Sequence, residues 1–159
     1  MSWQGIPVFP THPLRGKVSM PYAPAVVVPP GAALVVISGC HASPVYHHHP
    51  HIPAEHVLPP SMLEQARRAF ENVQLSLEAL GLTWGDVVKI TRFLTHIGEQ
   101  DELNEVQREF LRDHKPASTT VQVAALVVPE ARVEIEVLAV APPQVLDRAR
   151  ALAGATASP

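Results

Sequence analysis

Twelve of the seventeen prolines lie between Pro7 and Pro60, and this clustering constrains the fold more than any other feature of the chain. Proline has no backbone N–H to give to a helix or a ladder, and its ring fixes φ, so long helices and central strands are disfavoured in that stretch. Regular structure is expected after Pro60, where only Pro116, Pro129, Pro142, Pro143 and Pro159 interrupt. The chain divides into a proline-rich first third and a regular remainder. Its 159 residues suit a single domain.

Within the first third, Ala25–Val28 and Ala33–Ser38 are β-branched runs on either side of Pro29-Pro30-Gly31, a pattern that reads as a hairpin. Residues 40–60 show no apolar period and read as a long loop, the kind that usually carries function when it is ordered. Beyond it, Ser61-Met-Leu-Glu64 has the form of a capping box. Met62, Ala66, Ala69, Phe70, Val73, Leu77 and Leu80 recur at steps of three and four, and Gly81 is the expected stop. A strand is expected over 86–95, a helix over about 99–113, and strands over 119–128 and 132–140. In the last, Val133, Ile135 and Val137 alternate with Glu134 and Glu136, so one face is apolar and the other carries carboxylates. Residues 144–152 suit a short helix, and the tail from 153 is expected to fray. The order ββ-α-β-α-ββ gives an α+β two-layer fold, a mixed sheet with helices on one face. The bare face then needs cover, which a second copy of the chain supplies most simply.

Hydrophobic residues make up 47% of the chain and charged residues 17%, enough apolar material for one core. Fifteen acidic against twelve basic side chains leave a net charge of −3, which disfavours electrostatic capture of nucleic acid or an anionic membrane. No apolar run is long enough to span a bilayer, and the first residues lack the basic-then-apolar form of a secretory signal. The one cysteine, Cys40, excludes an intrachain disulfide. The expectation is a cytoplasmic protein.

Several pieces together resemble the Rid family, the reactive intermediate deaminases formerly called YjgF-like proteins. They are Pro21-Tyr22-Ala-Pro-Ala25, Leu34-Val-Val-Ile-Ser38-Gly39, Glu64-Gln-Ala-Arg67 with Glu71-Asn72-Val73, and Asp86–Thr95. Leu103-Asn104-Glu-Val106, Pro116–Leu126 and Val133-Glu134-Ile-Glu136 complete the set. They run in order over roughly residues 20–141, so the Rid-like domain is placed at 1–141 and 142–159 is expected to be a partly disordered extension. The resemblance implies a chorismate-mutase-like fold, a homotrimer with clefts between subunits, and hydrolysis of enamines or imines to a carbonyl compound and ammonia. It implies no cofactor. It carries the pocket onto Tyr22, Ser38, Gly39, Asn104, Ser118 and Glu134, with Glu134, Asn104 and Tyr22 as the catalytic group.

Each of these residues has two readings. Glu134 in an apolar strand can have its pKa raised by burial and move protons, or it can be an outward, solvated carboxylate. Tyr22 offers a hydroxyl or packs among prolines. Asn104 contacts a ligand or bonds nearby backbone. Ser38-Gly39 allows close backbone approach to a ligand or simply turns the chain. Cys40, beside them, lines the same cleft or acts as a small hydrophobe.

The chain departs from the family pattern in two places. Deaminases of the family carry an arginine where Ser118 stands, and its guanidinium forks the substrate carboxylate. A serine cannot make that charge-assisted pair. Imines derived from amino acids are therefore expected to be poor substrates. The second departure is a longer loop holding His41, Tyr46, His47, His48, His49, His51 and His56. It is read as a polar rim of the cleft, with His47 and His49 as substrate contacts and no metal assigned, because contiguous histidines lack ordinary ligand spacing. The resulting expectation is a Rid-type hydrolase for a reactive small molecule. The alternatives are a small-molecule-binding trimer without chemistry, or a specialised pathway enzyme that uses the loop.

Overall fold

The computed structural model describes residues 3–155. Along them run β1 (Ile6–Val8), β2 (Ala25–Val27), β3 (Ala33–Cys40), α1 (Met62–Ala79), β4 (Val87–Leu94), α2 (Gln100–Leu111), β5 (Ala117–Gln122), β6 (Val133–Ala141) and α3 (Val145–Ala155). The main sheet has the order β3-β6-β4-β5, with β5 parallel to β4 and the other pairs antiparallel. The parallel pair needs a crossover, and α2 provides it. Helices α1 and α2 pack together, α1 against β3 and β6, so the expected two-layer α+β architecture with a mixed sheet is the observed one.

Helix α1 begins and ends as the sequence signals. Ser61 Oγ accepts from the Glu64 amide, satisfying one of the orphan donors of the first turn. At the other end Gly81 adopts φ +73°, the left-handed conformation that glycine takes without a Cβ penalty. Its amide donates to the Glu78 carbonyl at 2.9 Å, and the Leu82 amide donates to the Leu77 carbonyl at 2.8 Å. That is a Schellman closure, and the buried Leu77 and Leu82 make its accompanying apolar pair. The inward stripe of α1 (Met62, Ala66, Ala69, Phe70, Val73, Leu77) meets Ile90 and Leu94 of β4 and Val133, Ile135 and Val137 of β6 in the core. Phe70 lies among Trp84 and Phe110, with ring centroids 5.1 Å from each.

Three expectations are corrected. Residues 25–28 and 33–38 do not form a hairpin with each other. Strand β2 pairs with β1, while β3 pairs with β6. Between them Gly31 has φ +81° and the Ala32 amide bonds the Pro29 carbonyl, so the turn carries the chain out of one sheet and into the other. Second, the strand expected over 119–128 ends at Gln122. The Val123 amide still bonds the Leu94 carbonyl, after which the chain turns away toward Pro129. Third, the C-terminal helix runs to Ala155, beyond the expected fraying point at 153, and residues 156–159 lie outside the described residues. Val145 is its buried residue, and Arg148 Nε donates to the Ala79 carbonyl at 2.5 Å, capping the end of α1.

Candidate functional site

The alternation of β6 decides where its carboxylates point. Val133, Ile135 and Val137 enter the core, so Glu134 and Glu136 stand on the opposite face of the sheet. Glu134 is half-buried there and lies against Gly39 on β3. A Cβ on residue 39 would fall 2.0 Å from Glu134 Oε1, so the carboxylate fills the space that a side chain would take. The pairing of β3 with β6 shifts register between Ile37 and Cys40, a bulge that aims Ser38-Gly39 at this point. Burial, and then the charge of Glu136, push the Glu134 carboxyl above its ordinary range. The Cys40 thiol is raised by burial first and by Glu134 second, which leaves it less able to form a thiolate.

Ser38, Gly39, Cys40, His41 and His47 line a cavity of about 420 Å³ at the edge of β3, together with Asn72 of α1. Asn72 of α1 was not singled out in the sequence, yet it fastens the histidine loop. Its Nδ2 donates to the carbonyls of His41 at 2.8 Å and Ser43 at 2.7 Å. Two backbone acceptors on one amide hold the start of the loop against the helix. Further along, the His47 ring sits 4.7 Å from His49, 5.0 Å from His51 and 4.8 Å from His56. His48 turns the other way. Its amide and Nδ1 both reach Glu55, at 2.8 and 2.5 Å. Ring nitrogens of His47, His51 and His56 lie within 4.8 Å of one another, close enough for a shared ion to be considered.

The remaining site residues assemble elsewhere. Arg92 is only 7% exposed and faces the helices, and its register partner on β5 is Thr120. Nη1 donates to Asn104 Oδ1 at 2.6 Å and to Gln107 Oε1 at 3.1 Å, while Nε and Nη2 donate to Thr120 Oγ1 at 2.9 and 2.6 Å. Ser118, two residues before Thr120, shares its face, and its buried Oγ has no hydrogen-bond partner among the described residues. Tyr22 lies nearby along the chain's contacts, since the Ala23 amide bonds the Pro116 carbonyl at 3.1 Å just ahead of β5. Tyr22, Asn104 and Ser118 thus gather around the β5 side of the fold. Glu134 and Gly39 meet on the other face of the sheet, while Ser38, Cys40 and His47 line the cavity at the β3 edge, with His49 next to His47 in the ring cluster. The candidate residues form two groups within one chain.

Arg92 stands in the inward face of β4 as a buried cation outside the expected site. All four of its bonds go to neutral partners, and no carboxylate pairs with it among the described residues. Burial alone pushes its pKa down, but a guanidinium remains charged. A buried cation without a counter-charge is costly and is a place where an anion is welcome. The available signal was position: between Ile90 and Leu94, residue 92 belongs to the inward face of a buried strand.

Comparison with known proteins agrees with this architecture. Residues 16–141 match the family model described as Endoribonuclease L-PSP. TdcF of Escherichia coli K12 is 37% identical over 86 residues, 52% of this chain and 66% of TdcF. The 2-iminobutanoate/2-iminopropanoate deaminase of Dermatophagoides farinae is 39% identical over 77 residues, 48% of this chain and 59% of the relative. These alignments span less than two thirds of the relatives' own lengths. Among solved structures, E. coli TdcF with bound serine superposes with a TM-score of 0.57 at 30% identity, covering 77–78% of this chain: the figure for TdcF is 78%, with 97% of TdcF covered, and for the E. coli YjgF gene product 77%, at TM-score 0.57 and 28% identity. With the family model matched over most of its length, the chain belongs to the YjgF/Rid family, the family of the Endoribonuclease L-PSP model.

Proposed function

We propose that the protein is a Rid-type hydrolase that converts an enamine or imine into a carbonyl compound and ammonia. The observation that carries this reading is the Glu134 carboxyl, raised by burial and seated against the bare Gly39 backbone. A carboxyl poised above its ordinary range can give a proton to an enamine carbon, producing the iminium ion beside the carboxylate. The resulting carboxylate then takes a proton from water as the water oxygen bonds the iminium carbon, giving a carbinolamine. The carboxyl gives that proton to the amine nitrogen as the C–N bond breaks and ammonia leaves, and it takes a proton back from the hydroxyl as the carbonyl forms, ready for the next turnover. The Gly39 backbone, lacking a side chain, leaves room for the Glu134 carboxylate to seat against the strand.

The two groups of site residues are joined when a second copy of the chain brings its Arg92–Asn104–Ser118–Tyr22 side to the Glu134 side of the first. The exposed apolar residues Leu34 and Val36 of β3, 60% and 69% exposed, give such a contact an apolar centre. A homotrimer closes this head-to-tail contact into a ring with three equal clefts. Behind such a cleft Arg92 positions Asn104 and Thr120, whose side-chain oxygens accept from its guanidinium. Ser118 leaves the place of the family arginine without a cation, so carboxylate-bearing imines remain poor candidate substrates.

The decisive experiment measures ammonia and keto-acid release from freshly generated 2-iminopropionate and a panel of enamines, for the native protein and Glu134→Gln. The expected result is turnover by the native protein, reduced about 10²–10⁴-fold in the variant, the usual range for loss of general acid–base catalysis. Equal rates would remove Glu134 from the mechanism. No native turnover on any substrate, with retained ligand binding, would favour a binding protein of this fold. Light scattering is expected to give three times the chain mass.

A further inference from the structure

We propose that His47, His51 and His56 form a binding site for a divalent ion of the zinc type, which fastens the loop between Cys40 and Pro60. This inference does not depend on the deaminase reading. Their ring nitrogens lie within 4.8 Å of one another. Tetrahedral Zn²⁺ with Zn–N bonds near 2.0–2.1 Å sets its ligand nitrogens about 3.4 Å apart, so a closing of roughly 1.4 Å at most completes the triad. Side-chain rotations in a loop segment supply that movement.

The supporting contacts orient the rings for this task. His47 Nδ1 lies 3.2 Å from the Pro44 carbonyl, which can only accept, so Nδ1 carries the proton and Nε2 keeps its lone pair. His56 Nδ1 lies 3.1 Å from Ser43 Oγ, and with that hydroxyl accepting, Nε2 is bare as well. His56 Nε2 is buried and has no hydrogen-bond partner among the described residues. A buried polar nitrogen left without a partner costs free energy, and an ion would remove that cost. Ser43 is itself buried and pinned to α1 through Asn72, so the second shell of the site rests on the helix.

The ligand set has the spacing 47, 51, 56 and not the contiguous 47, 48, 49. His48 is committed to Glu55, so the His-His-His run does not act as a unit. Three neutral imidazoles, with no thiolate or carboxylate among them, suit zinc, copper or nickel and leave a fourth position open. His47 also borders the cavity beside Ser38 and Gly39, so the loop that the ion holds is the wall of the candidate site.

The test uses the full chain without an affinity tag, stripped by a chelator and titrated with Zn²⁺ against a chromophoric competitor. Co²⁺ serves as a spectroscopic reporter of tetrahedral geometry. One equivalent per chain is expected, with tetrahedral Co²⁺ bands. His51→Ala and His56→Ala should each weaken binding by more than about tenfold, and Ser43→Ala by roughly tenfold, as loss of an outer-shell partner does. His48→Ala should leave affinity unchanged. His51 is exposed, so its replacement leaves the fold intact and isolates the ligand effect. The proposal is overturned by absence of binding, by more than one weak equivalent per chain, or by His48→Ala weakening binding as much as His51→Ala. The last two results identify adventitious capture by the histidine run.

Discussion

Gly39 and Glu134 share one volume: the position where residue 39 would carry its Cβ lies 2.0 Å from Glu134 Oε1 and 2.9 Å from its Cδ. The backbone of Gly39 is not in the left-handed region, so a side chain there meets the Glu134 carboxylate and not backbone strain. Gly39→Ala is therefore expected to swing the carboxylate away from the bulge. Turnover should fall about a hundredfold, the lower end of what a mispositioned acid–base group forfeits. The carboxylate has a flexible stem, so the melting temperature should move little. A calorimetric scan and a rate measurement on the same variant check both halves.

The raised carboxyl of Glu134 has a consequence for stability against pH. Its folded-state pKa is above the unfolded value, so the native state holds the proton more tightly. This contribution is fully present below the ordinary carboxylate pKa and is lost as pH rises through the folded value. Glu134→Gln removes the dependence. The variant should gain melting temperature over the native protein at pH 7.5 and lose that advantage near pH 4. An advantage that grows toward acid pH would contradict the raised carboxyl.

Arg92 and Ser118 allow positioning of the site to be separated from anchoring of the substrate's anionic end. Arg92→Met leaves Asn104, Gln107 and Thr120 oxygens without their donor in a buried place, and about 1–3 kcal/mol of stability should be lost for that reason. Because Arg92 acts by holding Asn104 and Thr120 in place, turnover of 2-iminopropionate and of neutral enamines should fall alike. Ser118→Arg places a second guanidinium on the face of the first. Its benefit should appear mainly in the Arg92→Met background, where the like charge is gone.

Much of the fold could be read from the chain because its signals are local. The Ser61 cap, the stripe of α1, the Gly81 stop and the alternation of Val133–Val137 each depend on neighbours within a few residues. The partner of a strand is not local. Nothing in Ala25–Val28 states that its hydrogen bonds go to Ile6–Val8, and the Pro29-Pro30-Gly31 turn suits a hairpin and a change of sheet equally well. The candidate site was half legible for the same reason. Glu134 and Gly39 were named, but that the carboxylate fills the glycine's empty side follows from a bulge in the ladder. Arg92 was obscured by its context: a charged residue in a strand reads as outward until the register shows Ile90 and Leu94 beside it on the inward face. The histidines were visible as a group, but the separation of His48 from the other rings depends on Glu55, seven residues away.

The closure of α1 gives the protein a division of labour. The helix stem, with Phe70 and Val73, belongs to the core, while Asn72 grips the histidine loop and the Ala79 carbonyl receives Arg148 from α3. Two segments, the histidine loop within residues 40–60 and the helix beyond residue 141, hang from a single rod by backbone carbonyls and polar hands. Their fittings can be exchanged without recutting the rod. Loop and tail are modular attachments, open to independent redesign while the packed sheet beneath them stays as it is.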